Sequence, residues 1–266
     1  MVVISSRQNP IVARYRAAAH GETDGVLLLD GAHLVDDALA AGVRIREAAV
    51  ITTADEDDQL RSLIAALEAT RVDVVVVTTA VMSALSPVRS SSPIVALADR
   101  PEAGSAAIYA GAAALVVIAI AVQDPGNLGA IVRVAEAGGA TGVVAAGACA
   151  DPFGWKALRG SMGSALRLPI AVVEDAGSAI DAARQAGCRI VATMPRDGQS
   201  LFDVRLVAPS AVLIGGEGHG LPRALLEAAD ARVTIPMAET VESLNAAVTA
   251  ALLVYEARRQ RTTSQQ

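Results

Sequence analysis

The chain has 266 residues, of which 53% are hydrophobic, and it carries a formal net charge of −6 at pH 7. This length allows two ordinary domains or one large one, with a sizeable buried core. The negative net charge excludes indiscriminate coating of nucleic acid, although it leaves room for a local basic site.

The two cysteines, Cys149 and Cys188, cannot form a disulfide framework and show no metal-ligand spacing. We therefore expect no metal site and a reducing environment. The N-terminus also lacks the basic-then-apolar order of a signal peptide, so we expect a cytoplasmic location. The uncharged stretch 105–122 approaches membrane-spanning length. Only residues 115–122 are strongly apolar, which favours a buried strand and a protein without membrane association.

Short apolar runs alternate with helical patterns, which is typical of an α/β fold with parallel sheets and crossover helices. Asn9 and Pro10 predict the N-cap and first turn of a helix that continues to about residue 20. Strands are predicted at 25–29, 48–52, 72–77 and 94–97, with helices at 32–41, 57–69 and 80–85. Pro, Gly and charged residues in 98–106 then mark a boundary. We predict a smaller α/β domain at 1–98 and a linker at 99–112.

A second alternating series predicts another α/β domain at 113–266. Its strands are predicted at 115–122, 142–145, 168–173, 189–192, 211–214 and 232–235. Its helices are predicted at 127–137, 156–163, 176–186, 222–229 and 243–260, followed by a frayed tail.

The stretch VQDPGNLGAIVRVAEAGG, residues 122–139, joins a strand to a helix in this second series. Asn127 is predicted to cap the helix, and Arg133 lies off its core-facing positions. The stretch contains neither Gly-x-Gly-x-x-Gly nor Gly-Lys-Ser/Thr, so the Rossmann and P-loop fingerprints are excluded. By itself it predicts a capped helix whose Arg133 pairs with Glu136 or with solvent.

The stretch VLIGGEGHGLP, residues 212–222, runs from a predicted strand into a loop with four glycines among residues 215–220. Such density requires unusual backbone angles or close approach of a ligand to the main chain. A ligand site is favoured over a mobile surface loop because the glycines directly follow an apolar strand. His219 has no Cys, His or carboxylate at metal-ligand spacing nearby, and we assign it no catalytic role.

The third stretch, residues 233–259, places Ser243 and Asn245 at the start of a long predicted helix. Capping needs only one of them, and free N–H groups at a helix start also suit an anionic or oxygen-rich ligand. The buried stripe of this helix is predicted to be Leu244, Val248, Ala251, Leu252 and Tyr255. All three stretches lie where a strand ends and a helix follows, which predicts a small-molecule site.

In order and spacing, the three stretches resemble the signature motifs of the TrmH/SpoU RNA ribose 2'-O-methyltransferases of the SPOUT superfamily. The resemblance covers about residues 115–259, including Ser161-Met162-Gly163. The first hundred residues resemble, more weakly, a ribosomal-protein-like α/β RNA-binding domain, through NPIVARYR and LLLDGAHLVDDALAAG. The resemblance implies S-adenosylmethionine as cofactor, bound at about 193–250 within a deep trefoil knot. It also implies a homodimer with the active site at the interface.

The resemblance also implies roles for individual residues. The catalytic positions are Asn127, Arg133, Glu217, Ser243 and Asn245. The cofactor-binding positions are Thr193, Gly216, Glu217, Gly218, Ile235, Met237, Leu244 and Asn245. The family proposal makes the arginine a base, but a guanidinium stays protonated in proteins, so we prefer a cation that binds phosphate or stabilises alkoxide charge. Glu217 is expected to anchor its loop and to position Arg133.

An acidic protein that binds RNA needs a positive face. We predict that two basic sets contact RNA, with some arginines supplied across the dimer, and that the acidic stretch 55–58 points away. The two sets are Arg7, Arg14 and Arg16 near the N-terminus, and Lys156, Arg159 and Arg167 in the second domain. The alternative is that these are scattered solubility charges.

Other functions fit less well. A nicotinamide-dependent oxidoreductase lacks its fingerprint and its acidic ribose-binding residue. A non-catalytic RNA-binding relative predicts damaged motifs, whereas all five catalytic positions are filled. The predicted function is therefore S-adenosylmethionine-dependent ribose 2'-O-methylation of RNA. Large-subunit rRNA fits the N-terminal domain best and tRNA is second, while self-protection against a ribosome-directed antibiotic stays open.

Overall fold

The computed structural model describes residues 3–54, 57–218 and 220–264, and the chain divides into two compact units. The first unit comprises Met1–Pro101 together with Phe153–Arg167, and the second comprises Glu102–Pro152 with Leu168–Gln266. Residues 153–167 were predicted to belong to the second domain, but they pack with the first unit. Phe153, Leu158 and Leu166 are buried there, and their apolar spacing alone could not indicate which core would receive them.

In the first unit the described strands are β1 Val3–Ile4, β2 Val26–Asp30, β3 Ile45–Ile51, β4 Asp73–Val77 and β5 Ile94–Asp99; the helices are α1 Pro10–Ala19, α2 Ala32–Ala40, α3 Asp58–Ala69, α4 Thr79–Leu85, α7 Trp155–Ser161 and α8 Ser164–Arg167. The strands form a mixed sheet in the order β1-β4-β3-β5-β2. The prediction of parallel sheets is wrong for β5, which runs antiparallel to both β2 and β3. Helix α1 confirms its predicted start, because the Asn9 side chain accepts a hydrogen bond from the Ile11 amide at 3.0 Å.

In the second unit the described strands are β6 Leu115–Ile120, β7 Gly142–Ala146, β8 Ile170–Val173, β9 Arg189–Thr193, β10 Gln199–Ser200, β11 Ser210–Gly215 and β12 Ala231–Thr234. They form an all-parallel sheet in the order β10-β12-β9-β11-β6-β7-β8. Parallel strands covered on both faces are continuously apolar, and every residue of β6 is buried. The described helices of this unit are α5 Ser105–Ile108, α6 Pro125–Gly138, α9 Ala176–Gln185, α10 Arg223–Ala228 and α11 Ala246–Thr263.

The starts of two helices decide what the site side chains can do. Helix α6 is capped by Asp124, whose Oδ1 accepts from the Asn127 amide at 2.7 Å, so the prediction that Asn127 is the cap is wrong. The Asn127 side chain is therefore available for other partners. Helix α11 begins after Asn245, whose Oδ1 accepts from the amides of Ala247 at 2.8 Å and Val248 at 3.3 Å. Ser243 lies in the preceding loop.

The predicted buried stripe of α11 is wrong. Val248, Leu252 and Tyr255 are exposed, while Ala250, Leu253 and neighbouring residues are buried. Both faces of this helix are apolar, so periodicity could not decide which of them packs inward. Among the described residues, no helix combines the length and apolarity needed to cross a membrane.

Candidate functional site

A cavity of about 530 Å³ opens in the second unit where strands β9, β11 and β12 end and helix α11 begins. The three strands are parallel neighbours, so their carboxyl ends meet at one edge of the sheet. All eight residues predicted to bind the cofactor line this cavity. They are Thr193, Gly216, Glu217, Gly218, Ile235, Met237, Leu244 and Asn245.

The loops that surround the cavity are joined through the side chain of Asn127. Its Nδ2 donates a hydrogen bond to Oε1 of Glu217, and its Oδ1 accepts one from Nδ2 of Asn245 at 2.9 Å. The chain positions involved are 90 and 118 residues apart. The three motifs therefore meet in one hydrogen-bonded relay, which ends at the N-cap of α11.

Two predicted catalytic residues stay outside this relay. Arg133 is exposed on α6 and does not line the cavity, and Ser243 lines it. Within the part of the chain that the structure describes, neither side chain makes a hydrogen bond or ion pair. Glu217 was expected to position Arg133, but its carboxylate instead binds Asn127. Glu217 therefore anchors its loop to α6 through an amide.

The glycines of the 215–220 loop serve two different physical needs. A Cβ on Gly216 would collide with the Ala121 carbonyl, and one on Gly215 would lie 2.5 Å from the Gly220 carbonyl carbon. Gly216 is therefore required by the close passage of the segment after β6, and Gly215 by the far end of its own loop. Gly218 and Gly220 instead have positive φ angles of 84° and 59°, and a Cβ there would meet nothing within 4 Å. His219 lies outside the described residues.

Other cavity residues were missed by the sequence argument. Thr249 lies one helical turn after Asn245 on α11, and that spacing could have indicated it. Met194, Pro195 and Leu226 also line the cavity, but no motif marks them. The predicted residue Thr193 donates its hydroxyl to the Leu213 carbonyl at 2.8 Å, so this oxygen faces a ligand only as an acceptor.

The N-terminal basic set lies in the first unit, and each member already contacts the protein. Arg14 forms a forked pair with Glu47, with its closest N···O distance at 2.8 Å. Arg7 and Arg16 each donate through Nε to a carbonyl of α4, at 2.9 and 3.1 Å. Arg7 and Arg16 thus keep unneutralised charge, whereas Arg14 is matched by a carboxylate.

The second basic set, Lys156, Arg159 and Arg167, lies in the same first unit and not in the second as predicted. Arg167 binds Asp37 at 2.8 Å. Lys156 Nζ lies 5.5 Å from the centre of the Trp155 ring, and Arg159 is exposed. Of the acidic stretch 55–58, residues 55 and 56 fall outside the described residues. Across the described ranges, no group of three or more His, Cys, Asp or Glu side chains is placed to hold a metal ion.

Known proteins resemble this chain in sequence and in fold. The SpoU rRNA Methylase family matches residues 114–255. A Synechocystis sp. protein named an uncharacterised tRNA/rRNA methyltransferase is 33% identical over 97% of this chain and 93% of its own. The Bacillus subtilis 23S rRNA (guanosine(2553)-2'-O)-methyltransferase RlmP is 33% identical over 87% of this chain and 88% of its own. The AdoMet-bound rRNA methyltransferase from Sinorhizobium meliloti superposes with a TM-score of 0.86 at 30% identity, covering 97% of each chain.

The parallel sheet and its edge cavity, together with these likenesses, define the class of the protein as an RNA methyltransferase. The chain belongs to the SpoU rRNA Methylase family. The family predicted from the three motifs is confirmed.

Proposed function

We propose that this enzyme transfers a methyl group from S-adenosylmethionine to a ribose 2'-hydroxyl of large-subunit ribosomal RNA. The observation that carries the proposal is the relay Glu217–Asn127–Asn245, which unites the three motifs at the wall of the cavity. RlmP, named for 2'-O-methylation of 23S rRNA, matches most of the chain, which supports both the reaction and the substrate.

The cavity has the size and chemistry that the cofactor requires. Its volume of about 530 Å³ falls in the range of small-molecule sites, about 300–1,000 Å³. Ile235, Met237 and Leu244 supply apolar walls suited to an adenine ring. Glu217 supplies negative charge for a cationic ligand, since its Oε2 makes no hydrogen bond to the described residues. When bound, S-adenosylmethionine supplies an electrophilic methyl group on a sulfonium.

The side chains around the cavity divide into positioning and reacting groups. The side-chain oxygen of Asn127 accepts a hydrogen bond from Asn245 Nδ2, and that of Asn245 accepts from the first amides of α11. Both residues therefore hold the loops in place. The uncommitted hydroxyl of Ser243 orients the ribose or the cofactor. Arg133 stabilises the negative charge that develops as the 2'-hydroxyl loses its proton, because its charge is not matched by a carboxylate.

We infer that the active form is a homodimer with the site at its interface. The apolar side chains of Val248, Leu252 and Tyr255, exposed on α11, support this inference because they follow helical i, i+4, i+7 spacing. Arg133 does not line the cavity of its own chain, which also favours a site completed by a second copy. The deep trefoil knot around about residues 193–250 and the cytoplasmic location remain parts of the same proposal.

Binding of the RNA is assigned to the first unit through Arg7, Arg14, Arg16, Lys156, Arg159 and Arg167. Reversing the charge of Arg16 tests this assignment, since Arg16 keeps unneutralised charge and touches only a carbonyl. We expect Arg16→Glu to weaken binding to rRNA and to leave cofactor binding unchanged. Unchanged rRNA affinity in Arg16→Glu would remove Arg16 from the RNA surface.

The reaction is tested with S-adenosylmethionine carrying a tritiated methyl group. Purified enzyme is incubated with 23S rRNA and with total tRNA from a strain that lacks the gene, and the RNA is then hydrolysed in alkali. A 2'-O-methyl group blocks alkaline cleavage at its own nucleotide, so the label is expected in resistant dinucleotides from 23S rRNA. Label in mononucleotides would show base methylation and overturn the proposal, and label in tRNA alone would overturn the substrate.

A further inference from the structure

Helix α7 of the first unit carries the half-buried Trp155 beside the exposed Lys156 and Arg159. Trp155 and Arg159 are four positions apart on one face of the helix, and Met162 follows as the C-cap residue at its end. Ala157, Leu158 and Ser161 are buried in the unit on the other side. Lys156 lies over the Trp155 ring, with Nζ 5.5 Å from its centre. We call the side chains of Trp155, Lys156, Arg159 and Met162 the α7 platform.

Met162 adopts a backbone conformation that is unfavourable for residues other than glycine. It ends α7 in the left-handed conformation, with φ 49° and ψ 50°, where glycine is favoured and other residues cost of order 1 kcal/mol. Its side chain is 45% exposed, so burial does not offset that cost. The next residue, Gly163, is also left-handed at φ 79°, but there a Cβ would collide with Asp37. Packing therefore explains Gly163 and does not explain Met162.

The charge around the platform narrows the choice of ligand. Residues 153–167 contain Lys156, Arg159 and Arg167 and no acidic residue, in a chain of net charge −6. Trp155 is the single tryptophan of a chain with 2% aromatic residues. A partner that matches two cations, an aromatic ring and a polarisable thioether combines negative charge with a flat apolar face. An unpaired nucleotide has both, whereas duplex RNA hides its base faces.

We propose that the α7 platform stacks an unpaired nucleobase of the substrate RNA, with Met162 and Trp155 contacting the base and Lys156 and Arg159 the phosphates. The inference rests on the proposed function for the identity of the substrate. It adds a recognition element that selects looped or single-stranded RNA before methyl transfer.

Intrinsic fluorescence tests this directly, because Trp155 is the only tryptophan. The full-length protein is titrated with a short unpaired oligoribonucleotide and with the same strand in a duplex. We expect quenching by the unpaired strand and little change with the duplex. Met162→Gly is expected to raise the Kd for the unpaired strand about 5- to 10-fold, a loss typical of one stacking contact. Its thermal midpoint is expected to stay the same or rise, because glycine relieves the left-handed strain.

Phe202→Ala is the matched control, since Phe202 is 69% exposed in the second unit and its removal is expected to leave the Kd unchanged. A Met162→Gly protein with wild-type RNA affinity would overturn the platform, as would a change in oligomeric mass that accounts for lost binding. If the wild type quenches with RNA but transfers no methyl group, the proposed function fails and the platform stands. If it methylates rRNA without quenching, the platform fails alone.

Discussion

Asn245 donates a 2.9 Å hydrogen bond from Nδ2 to Oδ1 of Asn127, and this bond fixes the orientation of the Asn127 amide. With its oxygen committed to Asn245, Asn127 turns its nitrogen toward Glu217. Asn245 in turn directs its own oxygen to the first amides of α11. One amide side chain thus sets the relative placement of the two loops that line the cavity.

Replacing Asn127 with aspartate is expected to damage this relay in a pH-dependent way. The introduced carboxylate cannot donate to Glu217, so two carboxylates face each other and one of them holds a proton more tightly. We expect methyl transfer to fall about 100-fold relative to wild type at pH 8, a loss typical of one mispositioned catalytic group. The deficit should shrink as the pH is lowered and a shared proton restores the bond.

Asn127→Ala is the control for that experiment, because it removes both hydrogen bonds and adds no titratable group. Its activity relative to wild type is expected to be low and nearly independent of pH. Equal pH profiles for the aspartate and alanine variants would exclude a proton shared between positions 127 and 217, and wild-type activity in Asn127→Ala would exclude a role for the relay.

The two kinds of glycine in the 215–220 loop should respond differently to alanine. Gly216→Ala forces a Cβ into the Ala121 carbonyl, and we expect it to lower the free energy of unfolding by about 3 kcal/mol. Gly218→Ala meets open space but adopts a strained φ of 84°, which should cost about 1 kcal/mol. Urea unfolding of both variants measures the difference. Similar losses of unfolding free energy in the two variants would mean that the Ala121 carbonyl does not exclude a side chain at position 216.

Arg261 joins the end of α11 to the segments that precede β6 and β11. It donates to the carbonyls of Leu206, Ala114 and Ala208 at 2.9, 3.1 and 3.0 Å, and burial lowers its pKa. Arg261→Met is expected to destabilise the protein by about 3 kcal/mol, because several carbonyls lose a charged donor. The exposed Arg223→Met, which breaks only a surface pair with Glu227, should change stability by less than about 0.5 kcal/mol. A comparable effect in both variants would contradict this role.

Glu256 gives the second unit an acid-sensitive contact. Hydrogen bonds from Arg259 lower its pKa below the usual 4.5, against an opposing effect of burial. A carboxyl with a depressed folded pKa stabilises the fold above its unfolded pKa, and this contribution is lost as the pH falls through the folded value. Wild type is therefore expected to exceed Glu256→Gln in unfolding free energy by about 1 kcal/mol at pH 7. The gap should close in urea titrations as the pH falls through the lowered pKa of Glu256, and a pH-independent gap would rule the effect out.

The sequence predicted the location of the cavity well, because the carboxyl ends of parallel strands converge and its three motifs follow such ends. It was less informative about strand direction, and about which of two equally suitable residues or helix faces the fold uses. Nothing in the apolar run 94–97 distinguishes a parallel strand from the antiparallel β5. Asp124 and Asn127 are both good caps, and only the fold shows that Asp124 takes the role and frees Asn127. On α11, two apolar faces competed for the core.

The role of Arg133 can be separated from the proton transfer that a base would perform. Arg133→Lys keeps a cation, so the pH dependence of methyl transfer is expected to match wild type at a reduced rate. An ionisation in the rate profile that moves with this substitution would favour Arg133 as a base.

The most direct test measures cofactor affinity and methyl transfer together in Arg133→Ala. Because Arg133 does not line the cavity of its own chain, S-adenosylmethionine should bind with nearly wild-type affinity by calorimetry. Transfer of tritiated methyl groups to 23S rRNA should fall by about 100- to 1,000-fold, the usual loss for a group that stabilises transition-state charge. Full transfer activity in this variant would contradict the assignment of Arg133 to methyl transfer.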